Sequence, residues 1–234
     1  MRIPMLILDR FTSFTTIDIA AVALLFGLWA LVGWRIEHPN SRHPSTSMLM
    51  QRYRRDWMKE MVTRTPRIFD AQILSTLRQG TAFFASTCMI LLGGTLALIG
   101  DTASIAGVAE DFTQNGQSEV IWEIKLMVPA LFLTNAFLKF VWANRLFGYC
   151  AVIMAAVPND ATHEKVYHRA SQAAEINVTA ARSFNRGLRS IYFALASAGW
   201  LVGAWVLIGL TLLTCVVIWR REFASESRKV LLDR

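Results

Sequence analysis

The sequence predicts an all-α fold: a polytopic membrane bundle of four transmembrane helices with amphipathic helices on its cytoplasmic side. Hydrophobic residues make up 54% of the 234, and mean hydropathy is +0.37. Four apolar runs approach the roughly 20 helical residues needed to cross a ~30 Å hydrocarbon core. Lys and Arg lie mostly between those runs, as in loops retained on one side of a bilayer. The chain, residues 1–234, is read as one membrane domain.

The first span is residues 17–34, charged only at Asp18. It runs into Gly33-Trp34-Arg35 with no small-x-small cleavage site, so a retained helix is expected rather than a signal peptide. Trp29 and Trp34 suit the interfacial belt. Residues 37–47 (EHPNSRHPSTS) form a linker with two prolines, and Ser45 or Ser47 can cap the helix that follows. Over residues 50–62, Met50, Tyr53, Trp57, Met58 and Met61 share one side at 100° per residue, and Arg52, Arg55 and Lys59 share the other. This pattern suits a helix laid on a membrane surface or on its own bundle, with Arg54 snorkelling. Thr65-Pro66 reads as a helix start. The new helix continues through Phe69, Ile73 and Leu77 into the second span, residues 80–99. There Ala82, Ser86, Gly93 and Ala97 give spacings suited to close helix contact.

No Lys or Arg occurs between Arg78 and Lys125, while Asp101, Glu110, Asp111, Glu119 and Glu123 do. Residues 100–124 are therefore read as an acidic external loop. Ile105, Val108 and Phe112 suggest a short interfacial helix in it. Asn115-Gly116 marks a turn, and Ser118 a cap. The third span, residues 125–150, belongs to a longer helix with Pro129 near its start and Pro158-Asn159-Asp160 at its end. Residues 155–190 form a second large loop, expected to be helical. The fourth span is residues 191–219, with Gly199-x-x-x-Gly203 as a packing pair. A mixed-charge tail follows from Arg220.

The nine Lys and Arg between Arg35 and Arg78 face none in the next loop. That contrast puts loops 35–79 and 155–190 in the cytoplasm. Four crossings then leave both termini outside. The five positive charges after residue 219 conflict with this, and an odd number of crossings would remove the conflict.

Lys139 is the prominent charge inside a span, and Asn135, Lys139 and Trp142 share a face. Two readings are open, a substrate or ion site and structural snorkelling. If the span begins near Lys125, Lys139 lies about 21 Å deeper, roughly 9 Å from the inner edge and within snorkelling reach. Asp70 falls on the apolar side of its helix and needs a partner. One candidate is an inter-loop ion pair with Arg182, Arg186 or Arg189; the other is a local pair with Arg67. Arg52, Arg55 and Lys59 form the candidate basic face toward the membrane. Trp122, Trp142 and Trp219 are read as interfacial anchors.

No Gly-rich phosphate loop, nucleophile elbow or His-Glu metal motif occurs. His38, His43, His163 and His168 fall in predicted loops, which weighs against a haem held between spans. Cys88, Cys150 and Cys215 are scattered through apolar stretches and read as core thiols. No catalytic residue, metal or cofactor is expected. The net charge of +7 is assigned to anionic lipid headgroups rather than nucleic acid, because it lies between spans.

Three stretches, RRDWMKEMVTRTPRIFDAQIL (54–74), FFASTCMILLGG (83–94) and FNRGLRSIYFALASAGW (184–200), together resemble the DUF599 family of bacterial and plant membrane proteins. The resemblance covers roughly residues 17–219. It implies a four-span membrane protein and supplies no activity or catalytic residue. The expected location is the cell membrane, in bacteria the inner membrane. The expected role is a non-catalytic membrane subunit, scaffold or assembly factor, self-associating or within a larger complex. The alternatives are an oligomeric small-solute or ion transporter or channel and, third, a lipid-modifying enzyme.

Overall fold

The computed structural model of the chain describes residues 14–40, 43–101 and 119–233. The N-terminal tail before residue 14 lies outside these. So do the expected helix through Ile105, Val108 and Phe112, the Asn115-Gly116 turn and the Ser118 cap.

Helix α1 is Thr16–Glu37 and α2 is Thr46–Glu60, followed by a 3-10 turn, Met61–Thr63. Then come α3 (Ile68–Gly100), α4 (Glu119–Ala155) and α5 (Val166–Ala198), with a 3-10 turn at Gly199–Leu201. Helix α6 (Ala204–Phe223) and the short α7 (Glu226–Leu232) end the described chain. No strand occurs among the described residues. Four helical stretches are long and apolar enough to cross a membrane: α1, α3, α4 and the run from α6. The protein is an all-α, multi-pass membrane bundle.

Local chemistry places the ends. Thr15 and Asp18 form a reciprocal capping box that starts α1. Ser45 caps α2 through the Met48 amide, and its hydroxyl donates to the Ile36 carbonyl, folding α2 back onto the end of α1. The expected cap at Thr65 does not form. Helix α3 starts at Ile68, after a turn containing a cis Thr65-Pro66 bond. Arg67 closes that turn, donating to the carbonyls of Val62 (3.1 Å), Val157 (2.8 Å) and Pro158 (2.8 Å).

The expected fourth span, residues 191–219, is not one helix. α5 carries its first part, the chain reverses at 199–203, and α6 carries the rest in the opposite direction. Gly203 sits at φ 158°, a region open essentially to glycine. A Cβ on Gly199 would lie 2.6 Å from Leu210 Cδ1, so glycine lets α6 fold against the end of α5. The two glycines make a hairpin.

This reversal changes the topology. The last turns of α5 run antiparallel to α1. Arg186 and Arg189 meet Glu37 at one end, and Trp200 Nε1 donates to Asp18 Oδ1 (2.8 Å) at the other. α6 then returns, bringing Glu222 to Ser47, while Arg228 Nε reaches the Pro44 carbonyl (2.9 Å). The C-terminal tail therefore lies at the opposite end of the bundle from the start of α1. The expected fourth span is thus two antiparallel segments, and the inner part of α5, a fifth segment, joins the two ends of the bundle.

Two apolar cores are stacked along the bundle. One, with Leu25, Phe132, Phe193, Trp200 and Leu207, joins α1, α4, α5 and α6. The other, with Met58, Leu74, Phe147, Met154 and Val166, joins α2 and α3 to the far halves of α4 and α5. α2 thus lies on its own bundle, and Leu49 and Met58 face in while Met50 and Tyr53 stay exposed. Between the cores Phe140 packs on α5, where a Cβ on Gly187 would meet Phe140 Cζ at 2.8 Å. Ala82, Ser86, Gly93 and Ala97 of α3 are exposed.

Candidate functional site

The polar groups gather where the two cores meet. Glu37 stands at the last position of α1, the sole carboxylate between Asp18 and Asp56. Arg186 and Arg189 lie three residues apart on α5, so they share a face. Arg186 Nε donates to Glu37 Oε1 at 2.8 Å, and Arg189 donates to the same oxygen at 2.6 Å. A second Arg186 nitrogen takes Glu37 Oε2, completing a fork on the carboxylate.

Two recesses flank this pair. Toward α4 is a groove of about 360 Å³ lined by Trp29, Trp34, Glu37, Asn135, Lys139 and the two arginines. Asn135 Nδ2 donates to Ser190 Oγ (2.7 Å), which ties α4 to α5. Lys139, one turn further on and half-buried, makes no hydrogen bond or ion pair among the described residues. On the other side is a cleft of about 250 Å³ that includes Ser47, Arg54, Arg182, Asn185 and Glu222. Ser47 Oγ donates to Glu222 Oε1 (2.8 Å) and accepts from Asn185 (3.2 Å). Arg54 donates to the buried Asn177, and burial lowers its pKa.

Asn135 and Lys139 are brought together as their spacing predicts. Trp142 is not with them; it is 47% exposed and lies outside the groove. Trp122, expected as an anchor, is buried under Lys125.

Asp70 is fully buried, and neither expected partner takes it. Arg64 forms its ion pair and Trp57 Nε1 donates to it at 2.7 Å. Arg186 and Arg189 are bound to Glu37, and Arg182 lines the cleft. The cause is topological: α3 packs mainly on α4 and meets α5 at the Phe84–Phe184 ring contact, 14 residues along α3 from Asp70. Arg67 is occupied by three carbonyls.

The basic face of α2 is divided. Arg52 and Lys59 are exposed, whereas Arg55 pairs with Glu175 of α5 at 2.6 Å. That hydrogen bond holds the Glu175 carboxyl below the usual range.

Sequence reasoning missed Glu37 and Glu222, and it expected Arg54 to snorkel where it instead turns inward to the buried Asn177. Glu37 had one usable signal, a lone carboxylate closing an apolar run. Arg54 had another, an arginine on the apolar side of an amphipathic helix. Glu222 had none, because its partner Ser47 is 175 residues away.

The arrangement offers a surplus of positive charge beside one carboxylate, within a groove bordered by two indoles. Among the described residues no group of His, Cys, Asp or Glu is placed to hold a metal ion.

The model of the family described as "Protein of unknown function, DUF599" matches residues 20–227. No curated protein and no solved structure matches the chain.

Proposed function

The chain belongs to the DUF599 family, and we propose that it is a non-catalytic membrane subunit or assembly factor. It would hold a helical platform on the cytoplasmic side. The observation that carries this is the unused face of α3. Ala82, Ser86, Gly93 and Ala97 stay exposed along a helix otherwise fit to cross the bilayer. Small residues at this spacing let a second helix approach closely, which is how helices associate in lipid.

Sidedness follows the positive-inside rule. The basic segments 35–78 and 165–189 and the tail with Arg220, Arg221, Arg228 and Lys229 all belong to one end of the bundle. We place that end in the cytoplasm of a bacterial cell, with the N-terminus outside. The transporter reading has less support, because its polar face Asn135–Lys139 lies at one end of the apolar core.

The test is to introduce Gly93→Cys and Ala97→Cys separately in native membranes, apply a short bifunctional thiol crosslinker, and identify the products. A crosslinked dimer or a defined heteromeric product is expected at these positions, and not at Leu91→Cys or Leu98→Cys. A protein that crosslinks equally from every exposed α3 position, or from none, contradicts the reading.

A further inference from the structure

We propose that the groove between α1 and α4 is a binding site for the phosphate of an anionic phospholipid, which enters sideways from the bilayer. The first argument is charge. Lys139, Arg186 and Arg189 line the groove against a single carboxylate, Glu37. Glu37 is already shared by the two arginines. Among the described residues Lys139 has no counter-ion, although it stands in a helix apolar enough to cross the membrane. A charge there requires an opposite charge or water.

The second argument is depth. Glu37, the last residue of α1, lies 19 residues past Asp18 in that helix's first turn. That is about 28 Å of helix, close to the ~30 Å thickness of the hydrocarbon layer. Lys139 lines the same groove. Both positions therefore fall at the inner boundary, the level of the phosphates. Helix α4 runs on for 16 residues beyond Lys139, about 24 Å.

The third argument is shape. The recess holds about 360 Å³, enough for a headgroup but not for its acyl chains. Trp29 and Trp34 border it, and exposed Leu31 and Leu138 lie on the same two helices. Indole rings at this depth match the boundary between chains and headgroups. A phosphate diester would take the Lys139 ammonium, with Arg186 as the second donor, while its acyl chains stay in the bilayer. A free phosphate ion has the same acceptor chemistry and lacks the chains, so the two sources can be separated.

The experiment uses the full chain purified in a neutral detergent. Binding is read by native mass spectrometry and by the shift in thermal unfolding. The probes are phosphatidylglycerol, phosphatidylcholine with the same acyl chains, and inorganic phosphate. Wild type should prefer phosphatidylglycerol over phosphatidylcholine and show no comparable shift with inorganic phosphate. Lys139→Gln should lower that preference roughly fivefold, the value of one basic residue near anionic lipid. Lys139→Arg should restore it. Lys139 has no partner among the described residues, so Lys139→Gln should keep the wild-type circular dichroism and elution volume. Lys59→Gln, on the exposed face of α2, controls for general surface charge.

Three results would overturn the proposal. One is an unchanged preference in Lys139→Gln. Another is an equal loss in Lys59→Gln. The last is a shift with inorganic phosphate matching that with phosphatidylglycerol.

Discussion

Glu37→Gln should destabilise the protein by about 2–3 kcal/mol, and the structure gives the reasons for that size. The Glu37 side chain is 17% exposed and accepts from two arginines. Arg189 is only 9% exposed. Removing the carboxylate leaves its guanidinium desolvated, and breaking a buried pair from one side costs roughly 3–5 kcal/mol. Two features lower that figure. The Gln oxygen keeps one acceptor, and Glu222 also attracts Arg189. Arg186 is 42% exposed and can turn to water, so its share is under about 1 kcal/mol. The reference is Glu175→Gln. Its pair with Arg55 is 47% and 55% exposed, and its loss should cost less than about 0.5 kcal/mol. The assay is reversible unfolding in mixed micelles, followed by far-ultraviolet circular dichroism. The double variant Glu37→Gln/Arg189→Met removes the buried charge with its partner. It should recover at least about 1 kcal/mol relative to additivity. If Glu37→Gln costs no more than Glu175→Gln, or if Arg189→Met gives no recovery, the junction of α1 with α5 does not rest on a desolvated ion pair.

Gly187→Ala should cost about 1–3 kcal/mol by overpacking, since its Cβ would lie 2.8–3.1 Å from three Phe140 ring atoms. Helix propensity alone favours Ala over Gly by about 1 kcal/mol, so a stabilised variant in the same unfolding assay would show the clash is relieved cheaply. Asp70→Asn should cost about 1–2 kcal/mol through loss of the charged bond to Arg64, whose own side chain is 35% exposed and can rehydrate. It should also shift the Trp57 emission, because Trp57 Nε1 donates to that carboxylate; a variant with wild-type stability and emission would refute this. The Arg55–Glu175 pair gives a pH dependence of stated sign. Glu175 has its pKa lowered in the fold, so the small contribution is present above the ordinary glutamate range and is lost as pH falls through the lowered value. A Glu175→Gln variant should therefore converge with wild type in acid, which an unfolding series against pH checks. Reporter fusions at the two termini should report opposite sides of the membrane, with the C-terminal fusion cytoplasmic; both on one side would exclude the five-segment path.

Much of the architecture was legible because it depends on local composition. Apolar length identifies α1, α3 and α4, and the Thr15 and Ser45 caps sit beside the helices they start. The fifth segment was not legible, for a physical reason. The inner part of α5 packs against α1, α4 and α6, leaving Leu195 exposed, and tolerates Arg189, Ser190 and Ser197 among its buried residues. A hydropathy pattern reports what faces lipid, and it merged this shielded segment with α6 across two glycines. Half of the candidate groove was readable, because Asn135 and Lys139 are neighbours on one helix. The other half was not, because Glu37 reaches Arg186 and Arg189 across about 150 residues of chain.

The sequence by itself therefore determined that this is a helical membrane protein, which runs are apolar enough to cross, and where its positive charge concentrates. These follow from transfer free energies and local hydrogen bonding, which act residue by residue. Only the tertiary structure decided which charge meets which. Asp70 goes to Arg64, while Glu37 takes the arginines of α5. It also decided that the start of α1 and the end of α6 lie at opposite ends of the bundle. Those outcomes depend on the order in which helices pack, and periodicity along one helix carries no information about its neighbours.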